Sequence, residues 1–193
     1  MNPVDPNQVR LTGENSFIRL LDKEGGTETT RVSHWRIFRS PAGPGHVIYI
    51  KSEITGGNIR IYSDNVAMAR WLQGEIETAL FPPFGDQSIP VIDAEFARVG
   101  NQPTVSSEIA EAANDDIVSL TWHDIGEPFI IRFEAGSMPN TKHGVYSCLI
   151  PCASAQVSIN GVAAKGTPQP EEMAGHMSST ACLAWGETWV LPR

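Results

Sequence analysis

Alternation of hydrophobic and polar residues is the dominant pattern along this chain, and the alternating segments are rich in β-branched and aromatic residues. Because successive side chains of a strand point to opposite faces, this pattern predicts β-strands separated by turns. The clearest turn signal is Asn160-Gly161, which lies between Ile159 and Val162 as a two-residue hairpin turn requires. About ten strands are predicted, over residues 16–22, 29–39, 46–53, 59–63, 91–99, 117–124, 129–134, 145–150, 153–159 and 180–191. Residues 104–112 are compatible with a strand or a short helix.

Residues 58–80 differ from the rest, because after a short strand their apolar residues recur at every fourth position. This spacing forms one apolar helix face from Met68, Leu72, Ile76 and Leu80. The polar residues of the same segment would face away from it, namely Arg70, Gln73 and Glu77. Prolines at positions 82 and 83 cannot continue a helix. The pattern therefore predicts one amphipathic helix near residues 64–81.

These elements indicate a mainly β protein with one inserted helix. We expect an antiparallel β-barrel of about ten strands, plugged or flanked by the helix, with a β-sandwich as the alternative. The general pattern resembles that of lipocalin-like or calycin-like barrels, although no signature motif of that family is present. Residues 1–14 contain two prolines and little periodicity, which predicts an N-terminal arm. Residues 15–193 are predicted to form a single barrel domain.

Charge and composition narrow the classes of function. The formal net charge of −8 and the scattered basic residues argue against nucleic-acid binding. No apolar run approaches the roughly 20 residues of a membrane-spanning helix, and the N-terminus lacks an apolar signal segment. Free thiols are expected, because Cys148 and Cys152 would lie about 13 Å apart on a strand. We therefore expect a cytoplasmic protein without a membrane partner, and its acidic charge and open sheet edges are compatible with a homodimer.

Motifs for bound cofactors are absent from the sequence. It contains neither the GxGxxG pattern nor a P-loop, and it has no GxSxG nucleophile motif. Its five histidines form no HxH or HExxH pattern. We therefore expect no cofactor and no metal site.

Glu187 and His123 are the predicted catalytic residues. On the last strand, Glu187 shares a face with Leu183, Trp185 and Trp189, and this large face is expected to point inward. A carboxylate between two tryptophans would be desolvated, which raises its pKa toward the range of a general acid or base. His123 lies at a strand end, where functional sites gather, and imidazole titrates near neutral pH. The alternatives for Glu187 are a last strand that is turned the other way and a position in water at the barrel rim. The alternative for His123 is a solvated hairpin tip.

Further side chains are predicted to bind a ligand. If the apolar faces of residues 46–53 and 59–63 align, then Tyr49, Arg60 and Tyr62 lie on one polar face. That face would be either a polar lining inside the barrel or an ordinary solvated surface. The predicted ligand-binding residues are Arg60, Tyr62, Tyr49, Trp122, Trp185, Trp189 and His34.

The sequence thus predicts a small-molecule-binding β-barrel. Aromatic residues, carboxylates and histidines on strands, without a cofactor motif, favour a lyase, isomerase, cyclase or hydratase that needs no cofactor. Such an enzyme would use acid–base chemistry on a hydrophobic small molecule. A non-catalytic carrier or sensor of a hydrophobic ligand, and a structural or assembly subunit, are the alternatives.

Overall fold

The computed structural model describes residues 6–100 and 104–192. Within these residues the chain forms thirteen strands. They are β1 (Val9–Leu21), β2 (Glu28–Arg39), β3 (Gly45–Ser52), β4 (Ile59–Ser63), β5 (Val91–Val99), β6 (Val105–Ala112), β7 (Ile117–Ile125), β8 (Phe129–Phe133), β9 (Gly144–Ile159), β10 (Val162–Ala163), β11 (Pro170–Met173), β12 (His176–Ser179) and β13 (Ala181–Val190).

Nine of these described strands close into a barrel, in the order β9-β13-β1-β2-β3-β4-β5-β6-β7. The second half of the long strand β9 pairs with β7 and completes the barrel. The first half of β9 pairs with β13 on one side and with β8 on the other. Strands β11 and β12 form a separate hairpin. The predicted barrel is therefore confirmed, and the β-sandwich alternative is wrong.

The barrel is mixed, because β4 and β5 run parallel. The prediction of an all-antiparallel barrel is wrong at this pair. Parallel neighbours need a crossover connection, and the helix supplies it by carrying the chain across the outer face of the barrel. The chain therefore enters β5 in the same direction in which it left β4.

The crossover over residues 66–80 is helical but not uniformly α-helical. It consists of α1 (Val66–Leu72), a π-helical segment (Gln73–Glu77) and a last turn, α2 (Thr78–Leu80). The side chain of Asn65 accepts a hydrogen bond from the Met68 backbone N–H at 3.0 Å and caps the first turn. The predicted helix is thus present, with a wide turn in its second half.

Packing of this helix against the barrel matches the predicted face only in part. Met68, Leu72 and Ile76 are buried, as predicted, but Leu80 is 44% exposed. Gln73 and Glu77 were predicted to face solvent, and that prediction is wrong because both are buried. A π turn holds more residues than an α turn, so it rotates the following side chains relative to an α-helical pattern. The apolar layer under the helix, which we call the outer cluster, consists of Leu11, Trp35, Ile37, Val47, Tyr49, Ile61, Met68, Ala69, Leu72, Ile76, Phe84, Val145 and Trp189.

The inside of the barrel is filled by a second apolar layer, the interior cluster. Its buried members come from every barrel strand: Ile18, Leu20, Val32, Ile48, Ile50, Tyr62, Ala94, Ala110, Val118, Leu120, Trp122, Ile150, Cys152, Ala155, Val157, Ile159, Ala181 and Leu183. Strands β2, β3 and β4 therefore contact apolar neighbours on both faces, the barrel interior on one side and the helix on the other.

Three local predictions have clear outcomes. Strand β1 begins at Val9, so residues 9–14 belong to the barrel and not to an arm; residues 1–5 lie outside the described residues. The ambiguous segment 104–112 contains strand β6. Asn160 and Gly161 have φ angles of 52° and 76° and join β9 to β10, which confirms the predicted hairpin turn.

In the part of the chain that the structure describes, no helix is long and apolar enough to cross a membrane. The cysteines are free thiols, as predicted: Cys148 is half-buried, and Cys152 and Cys182 are buried. Burial raises the pKa of Cys152 to about 12 and that of Cys182 to about 11. A high thiol pKa keeps both cysteines in the unreactive neutral form.

Candidate functional site

A cavity of about 290 Å³ lies against the outer face of β1, β2 and β13. On β1 the lining residues 15, 17 and 19 alternate with Ile18 and Leu20, which point into the barrel. The cavity is therefore outside the barrel wall, whereas the sequence predicted a site inside the barrel. We call it the outer cavity; it is lined by Asn15, Phe17, Arg19, Arg31, Val32, Ser33, Glu77, Leu80, Phe81, Phe84, Ile131, Phe133, Met138, Val145, Leu149, Met173, Glu187 and Trp189.

Glu187 faces the outer cavity because strand β13 has a bulge. The register between β13 and β9 shifts between Trp185 and Thr188, and Gly186 takes a φ of 66°, which favours glycine. Glu187 and Trp189 therefore lie on the cavity side, while Trp185 packs against the interior cluster. The prediction that Trp185 shares a face with Glu187 is wrong, since strict alternation fails at a bulge.

The carboxyl group of Glu187 is almost fully shielded from water, with 4% of the residue exposed. Burial raises its pKa from 4.5 to about 7, although the Trp189 indole and the polar side chains of Ser147 and Asn15 favour the ionised form. Trp189 Nε1 donates a hydrogen bond to Glu187 Oε1 at 2.6 Å. This buried environment is the one expected from the neighbouring tryptophan in the sequence. The catalytic role of Glu187 stays a prediction.

Glu77, a second buried carboxylate, lines the same cavity from the π-helical segment. It accepts hydrogen bonds from Ser33 Oγ at 2.5 Å and from Trp35 Nε1 at 2.6 Å. Burial raises its pKa, and the two hydrogen bonds oppose that shift. The sequence analysis missed Glu77 because it assumed a regular α-helix. One signal was available in the sequence. Ser33 and Trp35 are two positions apart and therefore share one face of a strand, and if that face is buried, the Ser33 hydroxyl and the Trp35 indole N–H need a hydrogen-bond acceptor.

The two carboxylates influence each other. A negative charge on Glu77 contributes to the raised pKa of Glu187. Ser33 Oγ, which is bonded to Glu77, also lies 3.3 Å from Asn15 Oδ1. Ser33 therefore connects Glu77 to Asn15, which is one of the groups that favour the ionised form of Glu187.

Tyr49, Arg60 and Tyr62 do not form the predicted common face. The β3–β4 register pairs Tyr49 with Ile61, so Tyr49 lies under the helix, while Tyr62 belongs to the interior cluster. Tyr49 Oη donates to the Ala69 carbonyl oxygen at 2.7 Å, and burial raises its pKa well above the ordinary value. Because both strand faces are buried, the apolar pattern did not show which tyrosine faced which side.

Arg60 and Tyr62 meet a partner that the sequence analysis did not single out. Tyr62 Oη donates to Asp116 Oδ2 at 2.7 Å, and Arg60 Nη1 lies 2.9 Å from the same oxygen. Asn160 Nδ2 also reaches Asp116, at 3.2 Å. Burial raises the pKa of Tyr62 to about 12. This cluster ties β4 to the β6–β7 and β9–β10 turns and does not line the outer cavity.

The remaining predicted residues also lie away from Glu187. His34 and Trp122 face each other inside the barrel, with ring centroids 6.3 Å apart. Burial lowers the pKa of His34 to about 3, with a further contribution from the charge of Arg98, so its imidazole is neutral. His123 is half-buried on the opposite face of β7 from Trp122, opposite Val105 and Ser154 in the neighbouring strands. Of the predicted site residues, the outer cavity brings together Glu187 and Trp189.

Among the described side chains, no group of three or more His, Cys, Asp or Glu residues is placed to hold a metal ion. We compared the chain with protein-family models, with curated proteins and with solved structures, and none of them matches. The outer cavity and its two carboxylates are therefore the basis for inferring function.

Proposed function

We propose that the protein is a cofactor-independent enzyme that moves a proton on a hydrophobic small molecule bound in the outer cavity. The observation that carries this proposal is the environment of Glu187. Its carboxyl group is buried against an apolar cavity, and burial raises the pKa of Glu187 to about 7. A catalytic group whose pKa lies near the working pH is present in both the acid and the base form. Isomerases, lyases, cyclases and hydratases need this chemistry.

Glu77 supports the proposal as the second carboxylate. When Glu187 takes a proton from the substrate, Glu77 can hold or supply the proton that the product needs at another atom. The Trp35 and Trp189 indoles fix the two carboxyl groups through hydrogen bonds of 2.6 Å each. Fixed donors of this kind orient a catalytic carboxylate, and the apolar walls exclude water from it.

A non-catalytic carrier is the second candidate, of the kind associated with lipocalin-like barrels. It is favoured by the walls of the outer cavity, where phenylalanine, methionine and leucine side chains are frequent. An assembly subunit or homodimer would instead use exposed apolar side chains such as Ile130 and Met177, which are 65% and 75% exposed. A cytoplasmic location is part of the main proposal and is compatible with the free cysteines.

A generic proton-abstraction probe tests the enzyme proposal without knowledge of the natural substrate. The probe is 5-nitrobenzisoxazole, a small flat aromatic molecule. A carboxylate removes the proton from its C3 atom, the N–O bond breaks, and the product is the coloured 2-cyano-4-nitrophenolate. We expect the purified protein to accelerate this reaction, with a rate that rises as the pH passes through about 7, because Glu187 must be ionised to act as the base.

The decisive variant is Glu187→Gln, which keeps the side-chain size and removes the base. We expect a rate at least tenfold lower, corresponding to a loss of about 1.4 kcal/mol of transition-state stabilisation. Glu127→Gln is the matched control, since Glu127 is exposed and lies outside the outer cavity. Equal rates for Glu187→Gln and the wild type would reject Glu187 as the base. Binding of the probe without acceleration would favour the carrier.

A further inference from the structure

We propose that the natural ligand of the outer cavity is a carboxylic acid with an apolar body, whose carboxylate binds between Arg19 and Arg31 at the mouth of the cavity. This inference rests on the proposed function and narrows its substrate class. The two arginines are paired neighbours on adjacent strands, because Arg19 of β1 lies opposite Arg31 of β2. Both line the outer cavity, and their side chains are 26% and 25% exposed, so they reach water as well as the cavity.

Along strands β1 and β2 the two arginines are displaced from the residues that lie next to the buried carboxylates, although the charge of Arg31 still acts to lower the pKa of Glu77. Asn15 and Ser33, which lie next to the carboxylates, are on the same two strands as Arg19 and Arg31. Asn15 and Arg19 are four positions apart on β1, which corresponds to roughly 13 Å of strand. Ser33 and Arg31 are two positions apart on β2, which corresponds to roughly 7 Å. A ligand that touches both the arginines and the buried carboxylates therefore needs an apolar segment of roughly 7 to 13 Å.

Charge fixes the direction in which such a ligand would enter. Glu77 and Glu187 repel a negative group from their part of the cavity when either is ionised. Guanidinium groups attract one at the mouth, and their planar donors match the two oxygens of a carboxylate. Other parts of the wall are apolar, with Phe17 and Leu149 among their side chains. The guanidinium groups of Arg19 and Arg31 are thus the cationic groups of the cavity wall, and Glu77 and Glu187 are its buried acidic groups.

Both arginines already have carboxylate partners, which hold them at the mouth. Arg31 donates to Glu28 through Nε and Nη2 at 2.8 and 2.7 Å, and its guanidinium lies 4.4 Å from the Phe81 ring centroid. Arg19 Nη2 contacts Glu171 on β11. A guanidinium has five N–H donors, so these contacts leave donors for a further carboxylate.

The Arg19–Glu171 pair is also incompletely satisfied. Among the described residues, Glu171 Oε1 is buried without a hydrogen-bond partner. An unpaired buried acceptor carries a desolvation cost, but it does not loosen the contact between Glu171 Oε2 and Arg19 Nη2. The same β11–β12 hairpin places Met173 in the cavity wall. An incoming carboxylate would therefore bind Arg19 through the guanidinium N–H donors that Glu171 does not use.

The test compares two ligands that differ only in the head group, octanoate and octan-1-ol, by isothermal titration calorimetry at neutral pH. We expect wild-type protein to bind octanoate at least tenfold more tightly than octan-1-ol. The double variant Arg19→Gln/Arg31→Gln should lose at least tenfold in octanoate affinity and keep its affinity for octan-1-ol. Arg132→Gln is the matched control, because Arg132 pairs with Glu134 and packs on Tyr146 outside the outer cavity.

Equal binding of the two ligands by the wild type would overturn the inference, even if the double variant failed to fold. Weaker octanoate binding by Arg132→Gln, equal to the loss in the double variant, would also overturn it, since the effect would then be general surface charge. Absence of octanoate binding by the wild type would reject this ligand class. None of these results alters the proton-transfer test with 5-nitrobenzisoxazole, so failure of this inference is distinguishable from failure of the proposed function.

Discussion

Trp189 Nε1 donates a hydrogen bond to Glu187 Oε1 at 2.6 Å, from two residues further along the same strand. The indole therefore stabilises the ionised carboxylate, while burial in the outer cavity destabilises it. Burial is the larger effect, and the pKa of Glu187 rises to about 7. The balance between the loss of hydration and the polar neighbours Trp189, Ser147 and Asn15 keeps this carboxyl group near the point of half-ionisation at neutral pH.

The first prediction concerns stability and pH at Glu187. A group whose pKa rises on folding stabilises the folded state at low pH and loses that contribution as pH rises through the folded value. For Glu187 this stabilising contribution is lost between pH 4.5, the ordinary pKa, and a pH of about 7, the pKa in the folded protein. A shift of that size corresponds to roughly 3 kcal/mol. We expect Glu187→Gln to be more stable than the wild type at about pH 8 by up to this amount, and equal to it near pH 4.5. Thermal melts followed by circular dichroism check this, and a gain independent of pH would contradict it.

The second prediction concerns the indole donor itself. Trp189→Phe removes the hydrogen bond to Glu187, so the pKa of Glu187 should rise further and the pH–rate profile with 5-nitrobenzisoxazole should move to higher pH. Loss of a hydrogen bond to a charged group also costs about 1.5–3 kcal/mol of stability where Glu187 is ionised. Trp122→Phe is the control, because Trp122 Nε1 donates to the Phe17 carbonyl oxygen at 3.2 Å inside the barrel. An unchanged profile for Trp189→Phe would refute the role of the indole.

The third prediction concerns the Asp116 cluster. Burial alone raises the pKa of Asp116, but hydrogen bonds from Tyr62 and Asn114 and the charge of Arg60 bring it below its ordinary value. Asp116 therefore contributes stability above the unfolded pKa of about 4, and this is lost as the pH falls through the folded pKa. We expect Asp116→Asn to lose about 1–3 kcal/mol at neutral pH and less in acid.

Denaturant unfolding at neutral and acidic pH measures this difference. Asp115→Asn is the matched control, since Asp115 is exposed and its φ of 67° is one that asparagine also adopts readily. Equal destabilisation by the two substitutions would show that the cluster does not stabilise the fold.

The fourth prediction concerns thiol reactivity. In native protein, Cys148 should react first with a thiol reagent, because it is half-buried, while Cys152 and Cys182 are buried and have pKa values raised to about 12 and 11. Under denaturing, non-reducing conditions all three cysteines should react. Titration with a chromogenic disulfide reagent gives both counts. Fast reaction of all three in native protein would contradict the burial of Cys152 and Cys182.

Sequence patterns alone determined the main elements of the fold. Alternation predicted the strands, the spacing of Met68, Leu72 and Ile76 predicted the helix, and Asn160-Gly161 predicted a hairpin turn. These features depend on residues that are close together in the chain, so the local sequence is sufficient to predict them. The burial of Glu187 beside Trp189 was predictable for the same reason, because the two residues are two positions apart on one strand and therefore share a face.

Only the tertiary structure decided which faces meet and which carboxylates share a cavity. Both faces of β2, β3 and β4 are buried, so alternation did not distinguish the barrel interior from the surface under the helix. A bulge at Gly186 separated Trp185 from Glu187, and a π turn rotated Glu77 inward beside it. Each is a displacement of about one residue within an element. Such displacements are determined by packing between elements that are distant in the chain. They therefore cannot be predicted from a short sequence pattern.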